Sequence, residues 1–168
     1  PGSMLVPEAL YKKTQTEAQS GDIATAKKGL LRFISEYPGH RLIPDALLDV
    51  VRHSIALDDI EGAANYLNTI LIRYPAHATA KEAEDIIVLL RGQNPDLPEL
   101  SLSERFERAE ALFAAAKFAP AIAEFTKVRG SNVPEYNIKA AVKTAQVLMR
   151  LRRYAEAESE LKVLLAGH

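Results

Sequence analysis

The chemistry-bearing side chains of this chain are few, and their spacing decides what they can do. Four histidines occur, at 40, 53, 77 and 168. His40 and His77 each follow a Tyr-Pro pair by two residues and lie one repeat apart. Equivalent loops of stacked helices sit about 10 Å from each other, too far for two imidazoles to share a metal, so both read as turn residues. His53 lies four residues after Asp49, the spacing of a local ion pair on a helix, and His168 is terminal. Carboxylates pair at Asp58/Asp59, Glu82/Asp85 and Glu156/Glu160. Glycoside hydrolysis needs two carboxyls facing across a cleft, one of them in an apolar niche that raises its pKa. None of these pairs has that setting by pattern, and all three read as capping or solvated groups. Arg150, Arg152 and Arg153 form the one basic cluster. At a helix end it favours the dipole, or else it meets an acidic partner or a glycan.

The composition removes further chemistry. With no cysteine among 168 residues, disulfides, thiolate catalysis and Cys-ligated metals are excluded. Only 8 glycines occur, scattered singly, so no phosphate-cradling loop is present, and neither Gly-x-Ser-x-Gly nor His-Glu-x-x-His occurs. Lys and Arg (21) nearly balance Asp and Glu (22), for a net charge of −1, and the balance holds in each half. That gives no electrostatic reason to expect nucleic acid. No apolar run reaches about 18 residues, so no transmembrane segment is expected. No cofactor and no catalytic constellation is predicted, and the chain is expected not to be an enzyme. Residues 1–4, Pro-Gly-Ser-Met, look like a tag-cleavage scar.

The elements that must carry these residues follow from a repeat. Asp22-Ile23-Ala24-Thr25-Ala26 through Tyr37-Pro38 recurs as Asp59-Ile60-Glu61-Gly62-Ala63 through Tyr74-Pro75, at a constant offset of 37. A second pair has an offset of 36: Phe118 maps to Tyr154, Ala121 to Ala157, Phe125 to Leu161 and Val128 to Leu164. In all four units an aromatic or Ile is followed by Ala three residues on, then by large apolar residues four and seven further. Those positions form one stripe of a helix whose small Ala admits a close neighbour.

Each stripe is preceded by another helical stretch. The first runs from about Leu5 to Ser20, stopped by Gly21, with Asp22 capping the next helix. The second starts near Pro44, which suits a first turn. A lone helix spans about 79–91. Asn94-Pro95-Asp96-Leu97-Pro98 breaks the pattern, and Ser101 with Glu104 reads as a capping box. Pro120 pins the next inter-helix turn near 116–118. Asn132 and Pro134 start the last pair, 135–150 and 154–165. The expected organisation is a helical block over 5–92 (two helix pairs plus one helix), a Pro-containing linker over 93–100, and a second block over 101–168 (two pairs). The chain stops at His168 straight after a repeat helix, as a truncated array would.

Gly21, Ala26, Pro38, Ala63, Pro75, Ala109, Ala121, Ala145 and Ala157 resemble the signature of the tetratricopeptide repeat, whose period is about 34 residues. The longer period, with Phe33…Tyr37-Pro38 and Ile70…Tyr74-Pro75, looks like the variant common in bacterial envelope proteins. Thr14 and Val51 stand where that family prefers Gly or Ala, which would splay those helix pairs. The resemblance implies an all-α, right-handed α-solenoid of antiparallel pairs, about nine helices, located in the periplasm or bacterial cell envelope. Its first helices would line a concave face with Tyr11, Gln15, Arg52, Glu110, Phe113, Gln146, Met149 and Arg150. Such a mixed polar and aromatic surface suits a protein or peptide partner, although Phe113 and Met149 could equally pack between helices. The run 102–113, continued by 118–125 and 151–157, is also similar to the helical arm of soluble lytic murein transglycosylases. That second resemblance implies a non-catalytic arm touching peptidoglycan, with the catalytic domain absent from this chain. Glu158-Ser159, the only Glu-Ser pair, does not match that family's catalytic segment.

Overall fold

The structure, a computed structural model, describes residues 5–131 and 133–166. The expectations for residues 1–4, Asn132 and His168 lie outside the described residues. Among those described there are nine α-helices and no strand: α1 (Leu5–Gln19), α2 (Ile23–Glu36), α3 (Ile43–Ala56), α4 (Ile60–Arg73), α5 (Thr79–Gln93), α6 (Leu102–Ala114), α7 (Phe118–Arg129), α8 (Pro134–Arg150) and α9 (Tyr154–Ala166). The chain is an all-α helical repeat. It divides into two compact units between Leu97 and Pro98.

Unit 1 holds α1 to α5, each packed on its neighbour in the chain, with α3 also meeting α5. The Ala stripe works as the spacing requires. Ala26 and Ala63 are fully buried, and Leu30, Phe33, Leu67 and Ile70 fill the space around them. Phe33 is enclosed by three rings, Tyr11 at 5.6 Å, Tyr37 at 5.7 Å and His40 at 5.5 Å between centroids. Deleting such a side chain costs about 3–5 kcal/mol. The two Tyr-Pro-x-His loops repeat the same backbone hydrogen bonds. Tyr37 and Tyr74 cap their helices through N–H bonds to Phe33 and Ile70 carbonyls. His40 and His77 each accept a backbone N–H on Nδ1, from Leu42 and Thr79, both at 3.3 Å.

Unit 2 holds α6 to α9, with α6 also meeting α8. Ala109, Ala121, Phe125, Val128, Ala140 and Val147 are fully buried in its main core. The Ser101–Glu104 capping box is present, with Ser101 Oγ accepting from the Glu104 N–H. In α9 the stripe is looser: Ala157 is buried, whereas Leu161 remains 36% exposed, and among the described residues no further helix packs on it.

One turn recurs in all four helix pairs. Gly21 takes φ +88°, and Asp58, Ala116 and Arg152, at the same repeat position, take φ of 57° to 60°. Each next residue donates its N–H five residues back, Asp22 to Glu17, Asp59 to Ser54, Lys117 to Leu112 and Arg153 to Leu148. This is a left-handed C-terminal cap that satisfies carbonyls the helix leaves open. Asp22 and Asp59 then cap the second helix, accepting from Thr25 at 3.1 Å and Gly62 at 3.0 Å. A hydrogen bond from Lys27, then the Gly62 N–H, hold the Asp59 carboxyl below its ordinary range.

Thr14 is fully buried where the repeat prefers a smaller residue. The helix opposite supplies the room: a Cβ on Gly29 would lie 2.7 Å from Thr14 Cγ2. The small residue has moved across the interface, so α1 and α2 remain in close contact at this point. Val51 is likewise fully buried.

Candidate functional site

Within each unit the first helices of the pairs line an open cavity. In unit 1 a cavity of about 380 Å³ is bounded by α1, α3 and the start of α5, with Tyr11, Gln15 and Arg52 in its wall. In unit 2 a cavity of about 750 Å³ is bounded by α6, the start of α7 and α8, and it includes Glu110, Phe113 and Arg150. Six of the eight residues expected on an inner face thus gather in two groups. Gln146 and Met149 lie on α8, are exposed, and line neither cavity. Met149 is displaced roughly 100° round the helix from Arg150, and it is 54% exposed, which rules out packing between helices.

The unit 1 wall is a hydrogen-bonded ladder. Tyr11 donates its hydroxyl to Asp49 Oδ2 at 2.7 Å, and Arg52 donates to Asp49 Oδ1 at 2.9 Å. The same guanidinium reaches Glu82 at 2.7 Å. Three helices are joined by charge-assisted bonds, the stronger kind. Burial, followed by the bond to Asp49, raises the Tyr11 pKa above the ordinary tyrosine value. The local His53–Asp49 ion pair suggested by sequence does not form; burial lowers the His53 pKa, and the nearby Asp49 charge only partly opposes it.

In unit 2, Lys143 on α8 donates to Glu110 on α6 at 2.5 Å. Phe113 and Phe118 sit with ring centroids 6.1 Å apart at 56°. The remaining wall is made of small alanines, among them Ala111 and Ala114. Lys143, Phe118, Asp49 and Glu82 were not singled out as lining residues from sequence. Lys143 had a readable signal, since it precedes Arg150 by seven residues and shares its face.

The other chemistry-bearing groups are placed in structural roles. Asp58 holds the left-handed turn and Asp59 caps α4. Glu82 binds Arg52 and Asp85 binds Lys81, while Glu156 binds Arg153 and Glu160 binds Arg129. Among the described residues no group of three His, Asp or Glu is placed to hold a metal. No helix among them is long and apolar enough to cross a membrane.

No curated protein matches the chain. The sequence profile of the YfiO family, described as outer membrane lipoprotein, matches residues 5–125. That span takes in α1 to α5 of unit 1, α6 and most of α7. The match gives no support to the transglycosylase resemblance. With well over half of its length matched, the chain belongs to the YfiO family of outer membrane lipoproteins of the bacterial cell envelope.

Proposed function

We propose that this chain is a non-catalytic docking scaffold of the outer membrane, in which the first helices of the repeat pairs receive segments of protein partners. The observation that carries the reading is the gathering of Tyr11, Gln15 and Arg52 in one cavity and of Glu110, Phe113 and Arg150 in another. Both cavities are built on helices whose positions are set by the buried Ala stripes, so a partner meets a preformed surface and little ordering cost opposes binding. Polar side chains beside aromatic rings suit an extended peptide or a loop. Membership in an outer membrane lipoprotein family favours a partner in the same compartment. Direct contact with peptidoglycan gains no support from either cavity.

The reading is tested by co-purification from solubilised bacterial envelope, comparing the wild-type chain with Phe113→Ala/Arg150→Glu and with Lys28→Glu/Thr126→Glu. Lys28 and Thr126 are exposed on the second helices, α2 and α7. The same envelope protein should be retained by the wild type and by the second-helix variant and lost from the cavity variant. Retention by the cavity variant with loss from the second-helix variant would place docking on the opposite helices.

A further inference from the structure

The two cavities differ in how far their charges are already satisfied. In unit 1 Arg52 bridges Asp49 and Glu82, and Tyr11 holds the other Asp49 oxygen. The guanidinium of that wall, Arg52, is therefore charge-compensated from within the unit. In unit 2 the ionisable side chains of the wall are Glu110, Lys143 and Arg150. Lys143 neutralises Glu110. Arg150, two helical turns further along α8, has no carboxylate within ion-pairing distance among the described residues. The other arginines of its cluster are placed elsewhere, Arg153 on Glu156 and Arg152 in the left-handed turn. The last turn of α8 stabilises Arg150 through its dipole, but only by about 0.3–1 kcal/mol. The larger cavity thus carries one uncompensated positive charge beside an aromatic and alanine wall.

We propose that the unit 2 cavity docks an acidic, apolar segment of a protein partner, with an Asp or Glu carboxylate on Arg150 and a neighbouring aliphatic or aromatic side chain against Phe113 and Phe118. This inference rests on the docking reading above and adds the chemistry of the partner. A single carboxylate matches the cavity's single net positive charge, whereas a doubly charged phosphate would leave one negative charge uncompensated. The planar fork of Arg150 can take both carboxylate oxygens. Because the pair is exposed, most of the affinity comes from the apolar contact. Arg150 supplies selectivity and orientation.

The test is a titration of the isotopically labelled full chain with three synthetic peptides sharing a Phe-x-Leu-x-Phe core between Gly-Ser ends. The variable positions carry Glu and Gln in the first peptide, Gln in both places in the second, and Lys and Gln in the third. The acidic peptide should shift the amides of 110–118 and 143–151, binding at least about tenfold more tightly than the Lys peptide, a difference of roughly 1.4 kcal/mol. Arg150→Gln should remove that preference while the same amides still respond, and Arg150→Glu should invert it. Equal binding of all three peptides at these amides would overturn the acidic preference and leave the docking reading standing. If the acidic peptide shifts only amides outside the cavity, or none up to about 5 mM, the inference falls and unit 2 drops out of the docking reading.

Discussion

Gly29 marks the closest approach of α2 to α1, and adding one methyl there tests how the first repeat accommodates Thr14. An ideal Cβ at residue 29 stands 2.7 Å from Thr14 Cγ2 and 3.5 Å from Glu17 Oε2. Carbon atoms in contact prefer about 3.5–4.0 Å, so the substitution Gly29→Ala demands roughly 1 Å of separation between two packed helices. Overpacking of this kind costs about 1–3 kcal/mol. Against it stands a gain of about 1 kcal/mol from replacing Gly by Ala inside a helix. The net expectation is a loss of about 0–2 kcal/mol. Thr14→Ala removes the obstructing methyl, together with the 2.6 Å bond from its hydroxyl to the Tyr11 carbonyl. In that background Gly29→Ala has room, and only the propensity gain of about 1 kcal/mol remains. The double-mutant cycle should therefore return a favourable coupling of about 1–3 kcal/mol. Native-state hydrogen exchange at the Ala26 and Leu30 amides reads unit 1 apart from unit 2. If Gly29→Ala stabilises unit 1 equally in both backgrounds, the close approach is wrong.

Three further outcomes follow from the turns and the ladder. Asp58→Gly, Ala116→Gly and Arg152→Gly should each stabilise the fold by about 1 kcal/mol, because an L side chain is penalised at positive φ. Gly21→Ala should cost a similar amount, and urea midpoints check both signs. Lys117 has φ −85° and ψ 67°, nearly those of Asp22 at −84° and 67°, yet makes no side-chain cap. Lys117→Asp should add about 1 kcal/mol by capping α7, read in the same way. Tyr11 ionises above the ordinary tyrosine value of about 10. Its stabilising contribution is therefore complete below about pH 10 and is lost as pH rises through the higher folded value. Unfolding free energy should fall with pH above about 10 more steeply in the wild type than in Tyr11→Phe, and parallel curves would contradict the part-buried Tyr11–Asp49 bond.

What the sequence made legible was local and periodic. The 37-residue offset located the Ala stripes, the Asp caps and the twin histidine loops, because each depends on residues within one or two turns of each other. The same offset could have found the recurrent left-handed turn, since residue 58 is Gly21 moved by one repeat. A side chain other than glycine hid it. The exchange of size between Thr14 and Gly29 joins facing helices and leaves no trace in either helix's own period. The Tyr11–Asp49–Arg52–Glu82 ladder has the same character, with partners 38 and 30 residues apart. Of the residues expected on the inner face, Gln146 and Met149 line neither cavity. The cavity wall follows Lys143 and Arg150; Gln146 shares their face of α8 by spacing, whereas Met149 is turned about 100° from Arg150.

Photo-crosslinking in the bacterial envelope tests the docking account most directly. A photoreactive side chain is placed in turn at Gln15 and Ala114, in the two cavities, and at Lys28 and Thr126, on the exposed second helices. The account predicts defined protein adducts from Gln15 and Ala114 and none from Lys28 or Thr126. Adducts confined to Lys28 and Thr126 would contradict it.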